Sequence, residues 1–439
     1  MFTETSRPRR TVIPCPMRIS PLIVASHLIL FAASACGGFA ASPVARNISF
    51  QKITLTNEYW CDGINAADVD RDGHIDVIAG PFWYAGPTFK VRHTIYEPVP
   101  QVLEANPTNS MYSFPHDFNG DGHMDVLVLG RVLHHEAFWY QNPGPTASTK
   151  PEARWLKHLV TTRVFGESPL FVDLNGDGKP ELISISGTKP TDRIKQWGWY
   201  APNWSKPTEA WTFVAITEPA EFNHYYHGQG TGDINGDGRM DLVLNEGWWE
   251  QPPQDAAAGT LWKKHPFMLS EDRGGAQILV YDVNGDGRND IVTAKNAHGW
   301  GLSWFEQKRD AAGALTFVEH RMMGTREEEA KFGVAFSQPH ALTHADLDGD
   351  GLDDVITGKR RWAHGPKGDV EPMATPVNYA FLLRRPGAAS SPPTFKPQLI
   401  DDASALGVQV VAVDVNRDGV PDVLTASKLG AFVFITQRK

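Results

Sequence analysis

His227-Gly-Gln-Gly-Thr-Gly-Asp233-Ile-Asn235-Gly-Asp237-Gly-Arg-Met-Asp241-Leu-Val-Leu-Asn-Glu246-Gly-Trp-Trp-Glu250 decides the fold. Counted from Asp233, oxygen-bearing side chains stand at positions 1, 3, 5 and 9, with glycine at position 6. Short Asp and Asn side chains on alternate residues of a tight loop converge on one point, which suits a hard cation, and Gly238 permits the sharp turn. The last acidic residue closes the shell as the chain leaves the loop, and Leu-Val-Leu then reads as a strand.

Seven copies of this loop run through the chain, starting at Asp68, Asp117, Asp173, Asp233, Asp282, Asp346 and Asp414. Position 3 is Asp70, Asn119, Asn175, Asn235, Asn284, Asp348 and Asn416; position 5 is Asp72, Asp121, Asp177, Asp237, Asp286, Asp350 and Asp418. Position 9 is Asp76, Asp125, Glu181, Asp241, Asp290, Asp354 and Asp422, and the longer Glu181 still reaches an ion. These positions take 23 of the 51 acidic residues, so the formal charge of −10 reads as ion ligands rather than a repulsive surface. Seven divalent ions would bring the chain without its first 35 residues, at −13, to about +1. No basic run suggests nucleic acid.

Each loop lies between two short apolar runs, strands A and B. An aromatic stretch follows as strand C: Phe82-Trp-Tyr, Phe138-Trp-Tyr, Trp197-Gly-Trp-Tyr, Trp248-Trp, Trp304-Phe, Tyr379-Ala-Phe and Phe432-Val-Phe. A fourth run, such as Trp155-Leu-Lys-His-Leu-Val, is strand D. Four strands every ~50–70 residues, seven times over, predict an all-β, seven-bladed β-propeller of four-stranded blades spanning 47–439. The last copy lacks a strand D, and Ile48-Ser-Phe-Gln-Lys-Ile-Thr-Leu55 is expected to complete blade seven and cover its open edge. The strand C aromatics read as blade-to-blade packing, with sugar stacking as the functional rival. Insertions at 141–153, 251–259, 363–378 and 386–393 are rich in Pro and Gly, and 325–331 is expected to make one helical turn or two.

Residues 1–41 read as an export signal, placing the protein in the periplasm, outside the cell or lipid-anchored on the outer surface of a membrane. Arg9, Arg10 and Arg18 precede an apolar stretch from Pro21 to Ala33, too short to span a bilayer. Met17 offers a second start. Ala33-Ser-Ala-Cys36 resembles the bacterial lipoprotein cleavage box, the rival being ordinary cleavage near Ala40 or Ala41. Of Cys15, Cys36 and Cys61, an unlipidated chain cut after Cys36 keeps at most one thiol, so no disulfide framework is possible there and stability must come from packing and bound ions.

The loops carry a family resemblance. The chain resembles the FG-GAP/VCBS-type calcium-loop propellers over about 48–439, although the FG-GAP signature itself is poor and only the loops match firmly. The resemblance implies up to seven structural Ca2+ ions on one face, where the A–B loops lie. The D–A and B–C loops then share the opposite face, around the central channel. On that face fall Asn223, His224, His227, Gln338 and His340, with His116 deeper along its strand. From B–C loops come His134, His135, Glu246, Asn296, His298, Lys359, Arg360, Arg361 and His364.

His227, His298 and His340 belong to consecutive blades and are expected to hold Zn2+ or another divalent transition metal, with Glu246 as fourth ligand. Hydrogen-bonded structural histidines are the competing reading for each. His158, His265 and His320 fall in strand D and read as structural.

The segments His227 to Glu250 and Ser337-Gln-Pro-His340 to Thr357-Gly-Lys-Arg-Arg-Trp-Ala-His364 are similar to the propeller part of fungal aldos-2-ulose dehydratases. That resemblance implies a lyase that removes water from an oxidised (keto) sugar by metal-dependent β-elimination at the channel mouth. His134, His135 or His364 would then be the base, and Lys359 or Arg360 would stabilise the enolate or hold a hydroxyl. Two readings compete: a propeller that binds carbohydrate or protein without catalysis, and a polysaccharide lyase. No nucleophile elbow, phosphate loop or dinucleotide fingerprint is present.

Overall fold

The computed structural model describes residues 45–104, 108–130, 136–189, 191–223, 225–270, 274–386 and 392–439. Residues 1–41, expected to be an export signal, with Cys36, and His134, His135 and His224, lie outside them. Among the described residues no helix is long and apolar enough to cross a membrane.

Seven antiparallel sheets of four strands form a seven-bladed β-propeller, one of them carrying an added short strand, Ala220–Glu221. In the fourth blade the strands are Gln229–Gly232, Asp241–Leu244, Gly247–Glu250 and Lys263–Pro266, hydrogen-bonded in that order. The first strand of each blade lies innermost, and Gln229 pairs in parallel with Gln277 just ahead of the next inner strand. Blade seven is closed as expected. Ile48–Thr56 pairs antiparallel with Gly430–Arg438, from Ile48 opposite Arg438 to Thr56 opposite Ala431. The predicted helical turn is a 3-10 turn, Arg326–Glu328, running into Glu329–Phe332.

The core is divided as a closed ring requires. Among the described residues there are seven apolar clusters, and each joins two neighbouring blades. Strand C tryptophans fill them: Trp83 and Trp139 are 0% exposed, Trp197 1%, Trp304 2% and Trp248 3%, which leaves these five no sugar-facing surface, while Phe138, Trp199 and Tyr379 are partly exposed. Strand D supplies a partner directly opposite. His93, His158, His265 and His320 stack on Trp83, Trp139, Trp248 and Trp304 with centroids 4.0–4.3 Å apart. The last three also place Nε2 against Gln141, Glu250 and Glu306. These histidines are structural.

The acidic loops knit the ring. In all seven, one position-9 oxygen accepts the backbone N–H of position 2, as Asp241 does from Ile234 at 2.9 Å. In six, the other oxygen accepts an N–H where strand C ends, as Asp290 does from Gln307 at 2.7 Å. Glu181 differs: its second oxygen accepts from Asn175 Nδ2 at 2.6 Å. Position 9 thus fastens the loop to strand C as well as facing the acidic cluster.

A second contact recurs between blades. Asn142, Gln251, Gln307, Arg385 and Arg438, all at the end of strand C, donate to the position-2 carbonyls of the preceding blade's loop: Val69, Leu174, Ile234, Val283 and Leu347. A buried carbonyl needs a donor, and a side chain one blade away provides it.

Candidate metal centre

At the face opposite the acidic loops, a run of backbone hydrogen bonds sets four blades side by side. Glu167 N–H donates to Tyr226 O (2.8 Å) between blades three and four, Ile278 N–H to Gln229 O (2.9 Å) between five and four, and Gln338 N–H to Gly299 O (2.7 Å) between six and five. Ala297 N–H to Gly274 O (2.9 Å) and Arg360 N–H to Gln338 O (2.9 Å) tie the loops within blades five and six. Gly274 must be glycine: its φ is +88°, and a Cβ there would lie 2.7 Å from His227 O. These contacts seat Glu167 at the start of blade three's inner strand and His227 just before blade four's. His298 follows on blade five's B–C loop and His340 on blade six's inner strand.

Their side chains meet. His227 Nε2 lies 3.0 Å from His298 Nε2 and 3.2 Å from His340 Nε2. Glu167 Oε2 lies 3.4 Å from His227 Nε2 and 3.5 Å from His340 Nε2. The four ligand atoms all fall within 4.8 Å of one another. Zinc–nitrogen bonds of ~2.0–2.1 Å at tetrahedral angles put ligand atoms ~3.3 Å apart, so this set fits a small divalent ion.

Electrostatics suit the same role. Burial pushes the Glu167 carboxyl up, but His227, Arg360 and His298 outweigh it and hold it at about 2, so it is an anion. Burial, then the neighbouring His227, takes His298 down to about 3. Burial and Arg360 hold His340 well below the usual imidazole range. Both are therefore neutral at physiological pH, with lone pairs to give. The three Nδ1 atoms are buried and have no hydrogen-bond partner among the described residues, which departs from the carboxylate or carbonyl that usually backs a metal-bound imidazole.

Arg360 is 1% exposed and closes one side of the group. Its Nη1 lies 2.7 Å from His340 Nε2 and 3.4 Å from Glu167 Oε2, so it donates to the very lone pair an ion would take. Lys359 is also buried, its Nζ on Ser337 Oγ at 2.6 Å and Val370 O at 3.3 Å, and burial lowers it to about 8. The His364 side chain is half exposed; its ring centroid lies 4.6 Å from that of His298 and its Nδ1 3.1 Å from Asp369 Oδ1.

Glu246 is not part of this group. Its carboxylate accepts from the Tyr226 hydroxyl. Blade four's B–C turn is only Asn245-Glu246, too short to carry a side chain inward, whereas blade five has Lys295 to Gly301 for His298. Sequence reasoning passed over Glu167, although a signal was present. Glu167, His227 and His340 each stand six residues before the first Asp of their loops, Asp173, Asp233 and Asp346. Asp62 holds the same place before Asp68; it is buried and accepts from the Tyr59 hydroxyl at 2.9 Å and Thr108 N–H at 3.3 Å.

On the other face, Asp68, Asp70 and Asp76, and likewise Asp346, Asp348 and Asp354, form clusters able to hold a metal. In the second, Arg384 contacts both Asp348 and Asp350.

Comparison with known proteins agrees on the repeat. The FG-GAP-like repeat matches residues 117–184 and 282–357. A search of curated proteins finds no match. Among solved structures, the V. cholerae biofilm matrix protein Bap1 is similar at 10% identity and TM-score 0.41, covering 88% of this chain and 91% of that one. Rhamnogalacturonan lyase YesW is similar at 14% and 0.40, covering 90% and 74%. The WD40 domain of SCAP from fission yeast is similar at 9% and 0.37, covering 89% and 98%. At these scores the likenesses carry no functional argument, and the resemblance to aldos-2-ulose dehydratases rests on local sequence pattern alone. The chain carries FG-GAP-like repeats, folded as a seven-bladed β-propeller.

Proposed function

We propose that Glu167, His227, His298 and His340 hold a zinc-like divalent ion, and that this mouth dehydrates an oxidised, carbonyl-bearing sugar by β-elimination. The observation that carries the reading is the meeting of three imidazoles, those of His298 and His340 neutral, and one ionised carboxylate, from four blades, at ligand spacing. An ion held there by four protein ligands would supply Lewis acidity to a substrate carbonyl oxygen by taking it as a fifth ligand. Arg360 adds fixed positive charge beside the same point, favouring an enolate. His364, oriented by Asp369 and open to solvent, is the base that takes the proton next to the carbonyl. Lys359 faces Ser337 and Val370 and acts by position and charge.

The acidic loops bind calcium and serve structure, since they bring no residue to the mouth. The protein is exported and meets its carbohydrate outside the cytoplasm.

The test is metal analysis of the full chain after dialysis against a calcium-selective chelator, with turnover assayed on keto-sugars. One retained zinc-like ion, lost together with turnover in His227→Ala, is expected. Calcium alone, or full turnover in that variant, overturns the reading. The burial of His227 and His340, 1% and 0% exposed, favours a second reading in which the cluster is a non-catalytic clasp of a binding propeller. There the ion would be retained and its loss would lower only the melting temperature.

A further inference from the structure

His227 and His340 are 1% and 0% exposed, so a sugar can reach them only if something moves. The segment that packs on this group from the rim is 362–371, part of the insertion after blade six's second strand, Asp354–Lys359. Its His364 ring centroid lies 4.6 Å from that of His298. Its tip reaches blade one's loop, where a Cβ on Gly365 would lie 3.4 Å from Glu104 O. The two ends of the segment meet, Trp362 Nε1 donating to Pro372 O at 2.8 Å. It is thus a compact surface loop closed at its base, a form frequently given to function.

Its seat is imposed from outside. Both feet are strained: Trp362 has φ +60° and Glu371 +47°, a region that bulky side chains avoid. Such backbone persists only where surrounding contacts over-determine it. Arg326 grips Glu371 with two prongs, Nε to Oε1 at 3.1 Å and Nη2 to Oε2 at 2.9 Å. Arg326 opens the turn Arg326–Glu328 ahead of blade six, and its guanidinium lies 5.4 Å from the ring centre of Trp300, two residues past His298. Next to Glu371, Val370 O accepts from Ser337 Oγ at 2.9 Å, Gln338 Nε2 at 3.2 Å and Lys359 Nζ at 3.3 Å. Inside the loop, Asp369 Oδ1 accepts His364 N–H at 2.9 Å, so fastening this foot also fixes the imidazole.

We propose that 362–371 is a strap over the metal centre, held shut by the Arg326–Glu371 pair and opening on its two strained feet. Arg326 and Glu371 are then positioning residues. Paired, they set His364 beside His298; parted, they let a ligand in. The pair is where the seat gives first, because its side chains are 38% and 30% exposed whereas Ser337, Gln338 and Lys359 are buried. The proposal rests on the metal reading for what the strap admits, but the latch itself does not need the ion.

Hydrogen exchange of the full chain reads the strap without any ligand. In the wild type, peptides covering 362–371 should exchange by local opening, well ahead of those covering Asp354–Lys359; equally slow exchange overturns the proposal. Arg326→Lys keeps the charge but not the fork. It should speed strap exchange about threefold to tenfold and leave Asp290–Ala294 unchanged, and Glu371→Gln should match it. No change in either variant, or an equal rise in the neighbouring strands, overturns the latch. Zinc alone then reads the gate. In Arg326→Lys its binding and release should quicken by one common factor at constant Kd, which the loss of a ligand would not do. Unchanged rates overturn the gate. If the chain holds no zinc-like ion, the metal reading falls, and the exchange measurement still decides the strap.

Discussion

Glu167 and His340 belong to different blades yet occupy one place in the repeat, six residues ahead of Asp173 and Asp346, and their side chains come within 3.5 Å. The loop that shapes one face therefore also sets the register of the residue presented at the other. His227 obeys the same spacing; His298 alone arrives by a longer B–C loop.

Glu167→Gln should lower zinc affinity more than about tenfold while leaving the fold intact, because it removes an anionic ligand but little volume. Glu246→Gln, which changes only a partner of Tyr226, should leave zinc content unchanged. Metal content per chain after dialysis checks both, independently of any substrate.

The position-9 carboxylates give the protein a pH dependence that calcium should cancel. Burial raises Asp76, Asp125, Asp241, Asp290 and Glu181 to about 7 and Asp354 to about 8. A raised carboxyl binds its proton more tightly in the folded chain than in the unfolded one, where it titrates near ~4. Its stabilising contribution is therefore complete below about pH 4 and lost as pH rises towards about 7. In chelator the melting temperature should fall between pH 5 and pH 8, and added calcium should raise it most at pH 8. Equal melting with and without calcium at pH 8 would sink the calcium assignment.

Gln307 joins blades four and five through Ile234 O at 2.8 Å and Asn289 O at 2.7 Å. Gln307→Ala leaves two carbonyls without their donor and should destabilise by about 1–3 kcal/mol. Gln437→Ala, on an exposed side chain, should change little. Denaturant midpoints of the two variants, read at constant slope, make the comparison.

His265 stacks on Trp248 at 4.0 Å and contacts Glu250 at 2.8 Å, far from the mouth. His265→Ala should cost about 1 kcal/mol of stability and leave metal content alone. Loss of metal in this variant would contradict the division between strand D histidines and those of the mouth.

The propeller was legible because seven loops in register repeat one physical instruction, and because loop direction alone assigns a face to His227, His298 and His340. What escaped was lateral. In Val164-Phe-Gly-Glu167-Ser only the six-residue register before Asp173 marks Glu167, and its partners emerge when the backbone bond from Glu167 to Tyr226 brings blade three against blade four. Glu246 looked suitable for the opposite reason: it lies on the right face, but its two-residue turn is taut and Tyr226 claims it. The position-9 carboxylates read as ligands only, since their pins to strand C depend on where a later strand ends.

The closing strand has a temporal consequence. Ile48–Thr56 leaves the ribosome long before its partner Gly430–Arg438, with six sheets made in between. Until then six finished sheets form an open crescent with two adhesive rims, and the earliest-made strand has nothing to zip onto. The circle can close only after Gly430–Arg438 has been made, so whatever guards the protein from clumping must act for the whole of that wait.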